Sequence, residues 1–494
     1  MTSVEYLKWL EFVLPETILA AAALAVLFID RLALRDQSPN VRNLLGSMFG
    51  IFACLFSIFW MSQSTVRGVL GPGIVHLTSV TILAKQLIVI LAIGALALAC
   101  ESKFTPHLGE FLSLLLLSTT GLMFLVSAEN LLMIFLCLEL ATLPLYILAC
   151  FDKTDKRAAE SALKYFLFGS LAAAFTVYGM SMLYGYAGTL VLSDVALKLR
   201  SVAPEPMLLV GVTMTLAGFA FKIAAAPFHL WAPDVYQTAP LSAAAMIAAG
   251  SKLGSFVVLT QFTAVALAPH SGKASWEAWF PGSTPVLAIL AGSSMIIGNL
   301  VALRQTSVRR LLAYSAVAHA GYMVVVLAGN PAGAMAPVLF YAFTYGLTII
   351  GAFAVVSVVQ NQNGSSDDAM GAFDGLSGRS PTLALCLLIF LLSLAGIPPL
   401  AGFFGKFYVF GEALRSKPAL DLLWLVVLAI GMSAVSLYYY LLVLKHVYVF
   451  SAGADTPRLH IPIILRCTIL LLAAAVLVLG IAPGLVLNQI PGGH

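Results

Sequence analysis

The chain has 494 residues, of which 61% are hydrophobic and 10% charged, and its mean hydropathy is +0.98. Soluble globular chains carry about a quarter charged residues, so this composition excludes a large soluble core; the length is counted in membrane spans instead. The formal net charge of +4 is spread thinly, with no basic tract of the kind that binds nucleic acid.

A span needs roughly 20 apolar residues. In chain order, fourteen segments qualify: 10–29, 44–61, 78–99, 108–127, 129–150, 159–187, 206–227, 241–267, 283–303, 308–328, 333–360, 381–415, 420–444 and 461–486. The expected fold is therefore all-α, a polytopic membrane protein of about fourteen transmembrane helices. The N-terminus lacks a positive n-region and a small-residue cleavage site, so the first segment reads as a span and not as a cleaved signal peptide. Thirteen basic residues, Lys103 and Arg458 among them, fall in odd-numbered connections. Seven, including Lys8 and Lys417, fall in even ones or the N-terminus. This bias places the odd connections in the cytoplasm and both termini on the periplasmic side.

Two segments are interrupted. The seventh runs into AAAPFHLWAP, where Pro227, Pro233 and Pro240 follow closely. The twelfth contains LAGIPPLAGFFGKF, with Gly396, Pro398, Pro399, Gly402 and Gly405. Proline removes a backbone donor and disfavours the preceding helical turn. Such breaks are tolerated at bilayer depth only when buried in protein or lining a wet cavity. The breaks lie five segments apart, an odd number, so two five-helix units would have opposite orientations. The expected division is N-terminal helices 1–3 (1–107), a first unit (108–267), a second, inverted unit (283–449) and a C-terminal helix (461–494). Each broken helix carries a lysine, Lys222 or Lys406, which is the layout of an inverted-repeat transporter.

Ionisable residues inside spans are costly, about 2.5–3.5 kcal/mol each on insertion scales, and so point to function. Glu139 and Lys252 lie near the middle of the fifth and eighth segments. A carboxylate beside a lysine favours its charged form, and withdrawing the carboxylate lets burial favour the neutral one. Glu139 and Lys222 are thus read as a switchable pair, with a static ion pair as the rival reading. Lys252 and Lys406 are read as further stations of a proton relay. His229, His319 and the hydroxyls of Tyr314 and Tyr322 are candidates to bridge them. Lys164 is read as tuning Lys222 or feeding protons inward, with a surface pair to Glu160 as the alternative. Glu129 is read as favouring a helix N-terminus. Lys85 and Arg466, near helix ends, are read as snorkelling.

Other chemistry is missing from the sequence. The six cysteines are scattered, without the clustering an iron–sulfur centre needs, and read as small core hydrophobes. No phosphate loop, dinucleotide fingerprint, HExxH or GxSxG occurs.

Three stretches carry a resemblance: KIAAAPFHLWAPDVYQTAPLSAAAMIAAGSKLGSF (222–256), RRLLAYSAVAHAGYM (309–323) and LSLAGIPPLAGFFGKFYVF (393–411). They resemble the antiporter-like proton-translocating subunits of respiratory complex I and of Mrp-type cation/proton antiporters. The resemblance implies a fourteen-helix fold with two inverted five-helix repeats. It implies a helix-five glutamate paired with a helix-seven lysine, matching Glu139 and Lys222. A central lysine on helix eight matches Lys252, and a terminal basic residue on helix twelve matches Lys406. M-type members carry glutamate at the position of Lys406, and L-type members carry a long lateral helix after the bundle. N-type members are therefore implied, with the D-type Mrp subunit, a sodium/proton antiporter component, as the alternative. The resemblance further implies a proton pump module without a cofactor of its own. NADH, FMN, iron–sulfur clusters and quinone would belong to other subunits of a hetero-oligomer in the bacterial inner membrane.

Overall fold

In a computed structural model the described residues are 3–490, apart from 102–104, 106, 154, 364–367, 416–420, 452–458 and 460. Lys103, Lys417 and Arg458, which enter the sidedness count, lie outside them.

The first half of the chain forms α1 (Ser3–Phe28), α2 (Pro39–Gln63), α3 (Ser79–Ala99), α4 (Leu108–Ser127), α5 (Leu131–Ala149) and α6 (Lys156–Ala187). Then come the short α7 (Leu192–Leu199), α8 (Pro206–Lys222), α9 (Trp231–Thr238), α10 (Leu241–Met246) and α11 (Lys252–Gln261). The second half forms α12 (Ser283–Ala302), α13 (Val308–Gly329), α14 (Met335–Asn363), α15 (Leu376–Arg379), α16 (Pro381–Ala395), α17 (Ala401–Leu414), α18 (Leu423–Tyr448), α19 (Ile463–Ile481) and α20 (Gly484–Leu487). Among the described residues, twelve helices are long and apolar enough to cross a membrane, and α8 and α16 are shorter apolar helices. These two begin the seventh and twelfth predicted segments, which are the interrupted ones. Two small antiparallel hairpins, β1 (Gly68–Leu70) with β2 (Val75–Leu77) and β3 (Lys273–Ala274) with β4 (Trp279–Phe280), lie in connections where the sequence shows no strand pattern.

Helix starts follow the local chemistry of capping. Thr78 and Thr81 form a reciprocal capping box on α3, the Asn130 side chain accepts from Leu132 N and Met133 N, and Ser307 accepts from Arg310 N. Asn130 and Ser307 also occupy matching places: each forms an isolated β-bridge, to Val191 and Ala369 respectively. Close packing recurs at the same spacing. A Cβ on Gly121 would lie 2.6 Å from Ala141 N, and one on Gly298 would lie 2.6 Å from Ala318 N. Helix pairs α4–α5 and α12–α13 are thus joined by the same small-residue contact, which lets backbones approach closely in a bilayer.

One expectation fails here. Lys85 does not snorkel: it is 1% exposed, and its Nζ lies 2.6 Å from Oε1 of Glu16, which is 0% exposed. The physical reason is packing. α1 and α3 both lie against α4, and α3 also packs on α10 and α14, so Lys85 is enclosed by helices instead of facing lipid. Glu129 directly precedes Asn130, the cap of α5, and its Oε1 also lies 2.6 Å from His76 Nδ1 on β2.

Candidate functional site: a buried lysine axis at two helix breaks

The first break spans the residues between α8 and α9. Pro206 starts α8 at its first turn, where its missing N–H costs nothing. The helix ends at Lys222, five residues before Pro227. Ala224 adopts a left-handed φ of 56°. Freed backbone groups are met from α12: Ala226 N donates to Ser294 Oγ at 2.8 Å, and Ser293 Oγ donates to Ala226 O at 3.0 Å. Trp231 Nε1 donates to Phe221 O at 3.2 Å. The freed polar groups of the break are therefore paired within the protein, as hydrocarbon requires, while the apolar Pro227 and Leu230 are exposed.

The second break follows the same plan. Gly396 caps α16 in the left-handed region at φ 88°, and Pro399 follows three residues later, just as Pro227 follows Ala224. Gly402 N donates to Ser393 Oγ at 3.1 Å. Lys406 lies on α17 but reaches back to the break. Its Nζ donates to Leu394 O at 3.0 Å, Ala395 O at 2.8 Å and Ser433 Oγ at 2.7 Å. Lys222 is the last residue of α8, and the Lys406 ammonium meets the last carbonyls of α16, so both lysines are placed by the C-terminal ends of first half-helices. There the unpaired carbonyls and the helix dipole favour positive charge.

Lys222 Nζ meets Glu139 Oε1 at 3.2 Å, Thr142 Oγ1 at 3.0 Å and Tyr146 OH at 3.4 Å. The Lys222 side chain is 3% exposed but that of Glu139 is 23% exposed. The carboxylate thus reaches the outer surface of the bundle, between the exposed leucines Leu136, Leu140 and Leu143 of α5.

Lys252 begins α11 directly after a π-turn over Ile247–Ser251, a local widening the sequence does not announce. Its Nζ donates to Ala316 O at 2.6 Å and lies 5.0 Å from the Tyr345 ring centre. From there a line of rings leads to Lys406. Tyr345 lies 5.1 Å from His319, His319 lies 5.6 Å from Tyr322, and Lys406 Nζ lies 5.1 Å from the Tyr322 ring. His319 bonds Tyr341 OH through Nδ1 at 2.8 Å and Tyr440 OH through Nε2 at 3.3 Å, and Tyr440 OH also bonds Ser315 Oγ. Tyr322 OH accepts from Asn299 Nδ2 at 2.9 Å, and Tyr439 OH donates to Asn299 Oδ1 at 3.1 Å.

The structure thus brings together Glu139 with Lys222, and Lys252 with His319 and Lys406. His229 is buried inside the first break, 6.2 Å from the Tyr314 ring, and its Nδ1 has no hydrogen-bond partner among the described residues. Tyr314 stands beside His229, not beside His319. Lys164 does not meet Lys222; it bonds Glu160 at 2.8 Å and Asp234 at 3.1 Å. Asp234 also binds Arg310 at 2.7 Å, joining α6, α9 and α13. The sequence reading missed Asp234, Arg310, Tyr341, Tyr345, Tyr440, Asn299 and Ser433. Only Asp234 carried a signal, as an acid two turns beyond the break. Among the described residues no group of three His, Cys, Asp or Glu side chains is placed to hold a metal ion.

A bundle of apolar helices with lysines fixed at two helix breaks defines an ion-translocating membrane protein. Residues 128–435 match the family described as NADH:quinone oxidoreductase/Mrp antiporter, TM. The chain is 45% identical over 497 residues to NADH-quinone oxidoreductase subunit N 2 of Acidobacterium capsulatum, covering 99% of each. It is 34% identical over 487 residues to F(420)H(2) dehydrogenase subunit N of Methanosarcina mazei, covering 96% of each. A chain of respiratory complex I from Thermus thermophilus with bound aureothin superposes with a TM-score of 0.77 at 33% identity, covering 96% of this chain and 98% of that one. The chain belongs to the NADH:quinone oxidoreductase/Mrp antiporter membrane family.

Proposed function

We propose that the chain is the N-type proton-translocating subunit of a membrane NADH–quinone oxidoreductase, a non-redox part of that enzyme. Full-length identity to relatives of that name supports the assignment. Electron carriers are assigned to other subunits. Relatives named for NADH and for F(420)H(2) align along nearly the whole chain, which agrees with a donor chosen elsewhere in the complex. The bacterial inner membrane, with both termini periplasmic, is the proposed setting.

The observation that carries the reading is the line from Lys252 through Tyr345, His319 and Tyr322 to Lys406, with Glu139–Lys222 at the other break. The proposed roles follow from the contacts. Glu139 pairs with Lys222, and Thr142 and Tyr146 keep its position when the carboxylate weakens its hold. Lys252, with one carbonyl as its hydrogen-bond partner, is the central station. His319 shares hydroxyls with Tyr341 and Tyr440 and passes a proton toward Lys406. Lys164, through Asp234, is proposed to supply protons from the cytoplasm, and His229 to serve the first break. Two five-helix units, 108–267 and 283–449, are proposed as inverted repeats. The matched caps, the matched glycine contacts and the matched breaks support this.

The test is NADH-driven acidification of inverted membrane vesicles carrying Lys222→Met, with assembly followed on native gels. Acidification is expected to fall at least tenfold in an assembled complex, the effect of removing an obligate proton carrier. Unchanged acidification would leave Lys222 as a structural ion-pair partner. Sodium-dependent proton exchange without a redox substrate would instead favour the antiporter branch.

A further inference from the structure

The pair formed by Glu16 and Lys85 lies outside the axis described above, on α1 and α3. Both side chains are sealed from solvent, and Glu16 is enclosed more completely than Glu139. Neither Glu16 oxygen has a partner in hydrogen-bonding geometry among the described residues, so Oε2 is an unused acceptor in the protein interior. Leaving such a group bare is costly, and a purely structural clamp gains nothing from it.

The pair also sits at the depth of the relay. α3 and α14 run parallel, since Leu91 packs at Gly346 and Gly94 packs at Ile350. Both helices rise by about 1.5 Å per residue, so counting back from Leu91 puts Lys85 level with Phe340 and Tyr341. Tyr341 is the tyrosine bonded by His319. α3 also packs on α10 and on the π-turn that precedes Lys252.

We propose that Glu16 and Lys85 form a second proton-exchanging carboxylate–lysine site, lateral to the main axis and carried by the N-terminal helices. In discharge one N–H bond of Lys85 breaks and an O–H bond forms on Glu16, leaving a neutral amine beside a neutral carboxylic acid. The acid then releases its proton to a group of the relay, and the amine takes up a new proton from it to restore the ammonium. No electron moves, and one proton enters for each that leaves. The site rests on the relay reading given above, because its proton must come from and go to that pathway.

Lys85→Arg separates this role from a clamp. Arginine keeps the charge and the ion pair but does not release its proton. Protons moved per electron are measured in inverted vesicles as acidification against NADH oxidation, with assembly checked on native gels. For Lys85→Arg in an assembled complex the ratio is expected to fall measurably below that of the wild type, because one proton-exchange site no longer releases its proton. A wild-type ratio overturns the proposal and leaves a clamp. Should Lys85→Arg not assemble, Glu16→Gln/Lys85→Met removes both charges and is measured in its place. Replacing a buried pair by neutral groups of similar volume is commonly tolerated. A wild-type ratio in the double variant overturns the proposal, and a lowered ratio supports it. Lys222→Met is measured alongside. If it lowers the ratio while Lys85→Arg does not, only the lateral site fails. If Lys222→Met leaves the ratio unchanged, the relay reading fails and the lateral site fails with it.

Discussion

At the residue scale, the charged members of the axis were legible because a charge inside an apolar run has no bland neighbour to hide among. Glu139, Lys222, Lys252 and Lys406 announce themselves in this way. Their partners do not. Tyr341, Tyr345 and Tyr440 lie in runs where aromatic residues are common, and only helix register shows that they turn toward His319. Lys85 was misread for the complementary reason: position near a helix end predicts snorkelling only if the end faces lipid, and the acid that encloses it lies on another helix. The hydroxyl of Tyr440 is the sharpest test of the partners, because it touches both Ser315 Oγ and His319 Nε2. Tyr440→Phe removes that hydroxyl and keeps the ring. A stability loss of about 1–3 kcal/mol is expected, since the hydroxyl serves two buried partners that are left unpaired. A several-fold loss of NADH-driven acidification is expected if the hydroxyl takes part in proton passage to Lys406, and assembly on native gels is expected to be unaffected. An unchanged acidification rate would remove Tyr440 from the path.

At the scale of elements, the long helices follow from apolar length alone, and the broken ones from proline and glycine. The place of the first break did not follow. Proline marks position 227, yet α8 ends at Lys222, because the left-handed Ala224 and the serines of α12 set the turn. Serines from a distant helix leave no mark in the local sequence. The π-turn before Lys252 was equally invisible, since AAAMIAAGSK is compatible with an unbroken helix. Helix contacts in this bundle depend on absent side chains, and Gly298 shows how closely. Gly298→Leu places a Cβ 2.6 Å from Ala318 N and adds further bulk beyond it. Overpacking of this kind costs about 1–3 kcal/mol. A lowered unfolding temperature of the detergent-solubilised complex is expected, with α12 and α13 forced apart beside His319. A temperature equal to that of the wild type would show that the contact is looser than its geometry implies.

At the scale of the whole molecule, the switchable pair is placed at the edge. Lys222 is buried, but Glu139 opens toward the outer face of α5 among Leu132, Leu136, Leu140, Leu143 and Ile147, all exposed. A carboxylate facing lipid hydrocarbon would be expensive. The same carboxylate against a neighbouring subunit is covered, and its field then depends on that subunit's arrangement. This gives a route by which redox events elsewhere in a complex reach a chain proposed to hold no carrier: a charge presented or withdrawn beside Glu139 changes its hold on Lys222. The argument makes a prediction about the face and not only about the acid. Leu136→Arg and Leu143→Arg, combined, flank Glu139 on the exposed stripe without entering the core. Central arginines on a lipid-facing surface cost about 2.5–3.5 kcal/mol each on insertion scales, and in a packed apolar interface they are also left without partners. The chain is expected to insert but to be lost from the assembled complex on native gels, together with NADH-driven acidification. If the double variant assembles and acidifies as the wild type does, α5 faces a wet cleft, and Glu139 is governed from within the chain, through Thr142, Tyr146 and the break itself.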